Sequence, residues 1–181
     1  MNNALIYSIH GLHDWWRHIG DHLGCEKVAV LSDQRGKGDL AVNDVFYAAF
    51  RRYQAAPAAH SALLSEAEVD DVIARCRVLR WLPRRLSVAM ALAMAEAMED
   101  ALATIQPDVC ISFPIDSYVS DVLARRARSR GVPYFEVTAS ALPKMSMLMH
   151  RGRLITAEAR PGPEAIEARV REIADPLFTP P

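Results

Sequence analysis

Pro107-Asp-Val-Cys-Ile-Ser-Phe-Pro-Ile-Asp-Ser-Tyr-Val-Ser-Asp-Val-Leu-Ala-Arg-Arg-Ala-Arg-Ser-Arg-Gly-Val-Pro-Tyr-Phe-Glu-Val-Thr-Ala-Ser140 holds a strand, a helix and a second strand. Val109 to Ile115 is an apolar run long enough for a buried strand. Asp116 and Ser117 then offer side-chain oxygens to the free N–H groups of a helix start. Tyr118, Val119, Val122 and Leu123 give that helix an apolar face. Arg125, Arg126, Arg128 and Arg130 crowd its last turn, where the dipole is negative. Gly131 supplies the left-handed cap, Pro133 blocks continuation, and Tyr134 to Thr138 is the second strand. A strand–helix–strand unit with tight connections makes its strands parallel. Ligands of such sheets bind beyond the C-terminal strand ends. Asp116 to Tyr118 and Ala139 to Lys144 are therefore the places to look for function.

The same pattern extends towards the N-terminus. Ala4 to Ile9 reads as a first strand, and Leu12, Trp15, Trp16, Ile19 and Leu23 form one helical stripe closed by Gly24. Lys27 to Ser32 is a second strand, followed by the polar loop Asp33 to Asp39. Val42 to Tyr53 is helical. Ser65 and Glu68 have capping-box spacing for a helix running to about Trp81. Pro83 opens a long helix to about Ile105. Lys144 to Ile155 reads as a loop with a short edge strand at Leu154, and Pro163 to Ala174 as a terminal helix. The fold expected is α/β: a Rossmann-like, doubly wound parallel sheet in three α/β/α layers. Residues 1–174 form one domain with a helical insertion at about 42–105, and 175–181 a Pro-rich tail.

The chain has 181 residues and a net charge of −1, which removes any global electrostatic case for a nucleic-acid partner. The apolar stretch from Leu86 to Ala95 runs into Glu96, Glu99 and Asp100 and is too short to cross a bilayer. No signal peptide is legible, and Cys25, Cys76 and Cys110 read as free thiols of a reducing compartment. A bacterial, cytoplasmic protein without a transmembrane segment is expected.

Several constellations bear on chemistry. His10, Gly11 and His13 sit at a strand-to-helix turn, where a small residue admits a ligand and a histidine can serve as general base. Asp14, His18 and His22 fall four apart on one flank. A solvated flank is the plain reading, and no metal is expected. A GxGxxG is absent, which argues against a nicotinamide dehydrogenase. Arg75, Arg77, Arg80, Arg84 and Arg85 surround Trp81. They suit anion recognition or simply a solvated basic face. Asp33, Arg35 and Lys37 form a surface loop that could meet phosphate. Asp116 and Ser117 serve either as a cap alone or as a ligand cradle. Ser140 and Lys144 follow the fourth strand on the same rim.

Arg75-Cys-Arg-Val-Leu-Arg80, Ile115-Asp-Ser-Tyr118 and Arg130-Gly-Val-Pro133 resemble the N-terminal half of bacterial capsule and surface-polysaccharide biosynthesis proteins, over roughly residues 1–155. That family is similar to glycosyltransferases of the GT-B type, in which two Rossmann-like domains face each other across a cleft. The resemblance implies an acceptor-side domain with a carbohydrate acceptor, a C-terminal GT-B domain as partner, and no cofactor of its own. The nucleotide-sugar donor would sit in the complete two-domain protein, in the cytoplasm or peripheral to the inner membrane. His13 is the first expected base and Asp116 the second. His10, Gly11, Arg75, Arg77, Arg80, Ser117, Tyr118, Ser140 and Lys144 are the expected substrate contacts. The alternative is a non-catalytic Rossmann-like ligand-binding or interaction module.

Overall fold

The computed structural model describes residues 2–9, 11–139, 146–151, 153–155 and 162–174. Its strands are β1 (Asn3–Ser8), β2 (Lys27–Ser32), β3 (Leu40–Ala41), β4 (Val109–Ser112), β5 (Tyr134–Ala139), β6 (Ser146–His150) and β7 (Arg153–Leu154). They form one sheet in the order β3-β2-β1-β4-β5-β6-β7. The first five are mutually parallel, with Leu5 opposite Ala29 on one side and Cys110 on the other. The chain winds outwards from β1 through β2 to β3, then crosses back to β4 beside β1 and winds the other way. The C-terminal ends of β1 and β4 therefore flank the topological switch point.

Alternation along β1 assigns the two faces. Leu5, Tyr7 and Ile9 join a core shared with the long helix α4 (Arg84–Ile105), while Ala4 and Ile6 join Trp16 of α1 (His13–Asp21). α4 is buried nearly all round, which its run of Ala and Met between Val88 and Ala101 permits. The sheet lies on one side of it, α5 (Tyr118–Ser129) beside it, and α2 (Asn43–Ala55) packs chiefly upon it. α3 (Glu66–Arg75) and a 3₁₀ turn at Leu79–Trp81 complete the insertion, and α6 (Pro163–Ala174) follows β7. α1 lies close to the sheet because Gly20 has no side chain. A Cβ there would stand 2.6 Å from Cγ1 of Val28.

Two expectations of local structure are corrected, and one strand is added. The helix begun at Ser65 ends at Arg75 rather than near Trp81, because the chain turns at Cys76 to bury Cys76 and Leu79. Within the stretch from Lys144 to Ile155, residues 146–150 form the strand β6 rather than loop, pairing antiparallel with β5, Val137 opposite Leu148, while the edge strand expected at Leu154 is present as β7, paired with β6. The polar loop after β2 leads into the short parallel strand β3. Asp39 directs it there, its Oδ2 accepting from the Val30 N–H at 2.8 Å while Arg17 forks onto both its oxygens. The Pro-rich tail lies outside the described residues.

The arginines of α5 do more than answer a helix dipole. Arg126 and Arg130 grip the two carboxylate oxygens of Glu99 on α4, at 2.8 and 2.6 Å, and Arg126 also donates to the Leu63 carbonyl. Arg125 pairs with Asp121 at 2.9 Å and with Asp71 of α3. Burial alone would raise the Glu99 carboxyl, but the hydrogen bonds from Arg130 and Arg126 outweigh it and hold it below its ordinary 4.5. A depressed carboxyl stabilises the fold above its unfolded pKa, and that stability is lost as pH falls through the folded value. Glu99→Gln is expected to cost about 1–2 kcal/mol at neutral pH, allowing for partial exposure. The difference from the parent should close below about pH 4.5. Denaturant melts across that range check this, and a gap that persisted in acid would contradict it.

Candidate functional site

A cleft of about 520 Å³ opens at the C-terminal end of β4. One wall is the end of α3, with Val72, Arg75 and Cys76. The other is the start of α5, with Ser117, Tyr118 and Asp121. Ile115 and Asp116 form its lip, and Arg128, Glu136 and Arg151 line its far end. Those three, with Ile115, continue into a smaller recess of about 210 Å³ that reaches His150 and the Gly131–Pro133 turn. The insertion thus supplies a pocket wall, and the β6–β7 hairpin supplies Arg151.

Ser117 is the N-cap of α5. It forms a reciprocal box with Ser120, at 3.5 Å from the Ser120 N–H to its Oγ and 3.4 Å in the other direction. These are long bonds, so the cap holds the helix end loosely, and Ser117 lines the cleft. Asp116 is exposed. Tyr118 is held up to about 12 by burial, then by Cys76 and Tyr47. Tyr7 and Tyr134 are raised further, chiefly by burial. All three phenols therefore stay protonated at neutral pH, available as hydrogen-bond donors but not as bases.

Glu136 points from mid-β5 into the cleft and is 8% exposed. Burial raises its carboxyl, and His150 opposes this only in part. A raised carboxyl means that the ionised form costs stability above its pKa. Glu136→Gln should raise the Tm at pH 7, by roughly 2–4 °C for each kcal/mol relieved. The gain should vanish in acid, where Glu136 is itself neutral. A lower Tm at pH 7 would show instead that the carboxylate is held by a partner in the fold.

The expected site residues divide. Arg75, Asp116, Ser117 and Tyr118 meet in the cleft. Arg77 and Arg80 are exposed beside Trp81, which is 82% exposed, and do not line it. Gly11 has φ +76 at the end of β1, the left-handed turn that leads the chain into α1. His13 does not line the cleft: it is buried on α1, on the opposite face of the sheet. Both ring nitrogens lack a partner among the described residues. His10, Ser140 and Lys144 lie outside the described residues. The rings of His18 and His22 are tilted at 59° to each other with centroids 4.6 Å apart. No group of three His, Cys, Asp or Glu able to hold a metal exists among the described residues.

Sequence reasoning missed Arg128, Glu136 and Arg151. A signal existed for two of them. Ser117, Asp121 and Arg128 recur at helical spacing on one face, and Glu136 is a lone acid inside a short apolar strand. Arg151 is placed by the β6–β7 hairpin, for which the sequence offers a signal only at Leu154.

No helix among the described residues is long and apolar enough to cross a membrane. The sequence matches no protein family and no curated protein. Among solved structures the chain is similar to a UDP-GlcNAc 2-epimerase from Neisseria meningitidis, crystallised with UDP-GlcNAc bound. The likeness has 11% identity and a TM-score of 0.42, and covers 80% of this chain and 33% of that one. The chain thus spans about a third of the length of the protein it matches.

Proposed function

We propose that this chain is a carbohydrate-handling domain that binds an anionic, polyhydroxylated ligand in the cleft beyond β4. In a two-domain protein it would form the acceptor side of a GT-B type glycosyltransferase acting in surface-polysaccharide assembly. The observation that carries the reading is the mixed charge of one cleft beyond β4: Arg75, Arg128 and Arg151 with Asp116, Asp121 and Glu136. Arginine forks suit carboxylate or phosphate, and carboxylates and phenols suit sugar hydroxyls. Arg75 stands 3.8 Å from Asp71 and is 64% exposed, so it remains available to a ligand.

Asp116 takes the place of first candidate base, since it is exposed at the lip while the nitrogens of His13 are shielded. Ser117 and Tyr118 would position the acceptor hydroxyl. The nucleotide-sugar donor would come with a second domain. The shielding of His13 also favours the other reading, a binding module without catalysis.

Calorimetric titration of the chain with acidic oligosaccharides and nucleotide sugars tests the proposal. Saturable binding of an acidic oligosaccharide is expected, and an Asp116→Asn change that leaves this binding intact but abolishes turnover in a two-domain protein would mark a base rather than a contact. Absence of saturation with every acidic ligand would end the carbohydrate reading.

A further inference from the structure

A third recess opens on the other side of Tyr118, towards β1 and β2. It has a volume of about 230 Å³, and Tyr7, Asp33, Asn43, Phe46, Tyr47 and Tyr118 contribute to its lining. Asp33 directly follows β2. Its Oδ1 is shielded from solvent and has no hydrogen-bond partner among the described residues. No basic side chain among the described residues lines the recess. A carboxylate oxygen withdrawn from water without a donor is costly, and a ligand that brings donors removes the cost.

The other groups narrow the choice of donor. The phenols of Tyr7 and Tyr118 stay protonated, so they too seek acceptors. The recess also meets the start of α2, where Val42 gives no side-chain cap and Asn43 brings an amide. The first turn of a helix carries free N–H groups and the positive end of its dipole. An ammonium ion would answer Asp33 but leave these donors unsatisfied and meet an unfavourable dipole. A hydroxyl both donates and accepts. Four aromatic rings, with Phe46 and Tyr47 edge to face at 5.3 Å, give flat apolar walls for the C–H face of a sugar ring.

We propose that this recess binds the vicinal diol of a monosaccharide-sized ring, with Asp33 accepting from its hydroxyls. The inference rests on reading the C-terminal edge of the sheet as ligand-facing, but it uses neither arginine nor the residues of the larger cleft beyond the shared Tyr118. The diol could belong to a pyranose of the acceptor or to the ribose of a nucleoside.

Ligand-observed NMR titration of the full chain with methyl hexopyranosides, uridine and 2′-deoxyuridine tests it. Saturable binding of a pyranoside, or of uridine in preference to its 2′-deoxy form, is expected, and the successful arm identifies the source. Asp33→Ala should weaken that binding by about 10–100-fold, the loss of a charged hydrogen bond, without lowering the Tm. Tyr47→Ala, at a side chain 51% exposed, should weaken binding on an intact fold. Arg75→Ala with Arg128→Ala should leave diol binding unchanged, so the two cleft assignments stand or fall separately. The proposal is overturned if no diol saturates, if Asp33→Ala binds like the parent or loses Tm with binding retained, or if methylammonium binds better than every diol.

Discussion

Trp16→Ala is expected to cost about 3–5 kcal/mol, the scale of emptying a buried indole site. Trp16 is fully buried and is the centre of the smaller core, with Ala4, Ile6, Val109, Ile111 and Val137 around it. It meets Phe113 edge to face at 4.8 Å and Trp15 at 4.7 Å, and so ties α1 to the end of β4. The other face of the sheet shares its burial among α2, α4 and α5, so removing one side chain there leaves neighbours to close in. On the α1 face the indole is the main filler between helix and sheet. Its Nε1 makes no hydrogen bond among the described residues, so the loss is one of packing. Trp16→Phe should therefore retain much of the stability. Urea unfolding gives the number, and a loss for Trp16→Ala below about 1 kcal/mol, the middle of the range for ordinary substitutions, would contradict this account of the smaller core.

Replacing Arg75 and Arg128 together by alanine should reduce affinity for an acidic oligosaccharide by about 100-fold or more, since each charged hydrogen bond is worth roughly 1.5–3 kcal/mol. The fold should hardly respond. Arg75 makes one long ion pair, Arg128 makes none among the described residues, and exposed pairs contribute little. Arg126→Ala should behave in the opposite way. That side chain is 12% exposed and holds both Glu99 and the Leu63 carbonyl, so its loss should lower stability and leave binding close to the parent. Arg77→Ala with Arg80→Ala should change neither strongly. Equal effects of all these arginines on binding would mean long-range attraction rather than a defined site.

These contrasts show where the sequence was readable. β2 falls at Lys27–Ser32 and α4 ends at Ile105 as the apolar runs require, because both segments lie almost wholly in the core. The parallel β4–α5–β5 unit follows from local signals: a cap at Ser117, a left-handed Gly131 and Pro133 before the next strand. β6 was not legible, since Ser146-Met-Leu-Met-His150 has no β-branched residue and becomes a strand by pairing with the edge of β5. The roles of the arginines were also hidden. Arg126 finds Glu99 and Arg125 finds Asp71 across 27 and 54 residues, distances over which sequence spacing says nothing. His13 sits where the sequence places it, at the start of α1, but the sequence does not tell which way a first-turn residue faces. The packing of Trp16 and Gly20 against the sheet settles that.

Backbone amide chemical-shift mapping during titration with an acidic oligosaccharide tests the central claim most directly. The account predicts saturable shifts at Arg75, Cys76, Ser117, Tyr118 and Arg128, around the cleft beyond β4, with little change along α1. Shifts concentrated instead at Gly11, His13 and Trp15, or none at saturating ligand, would contradict it.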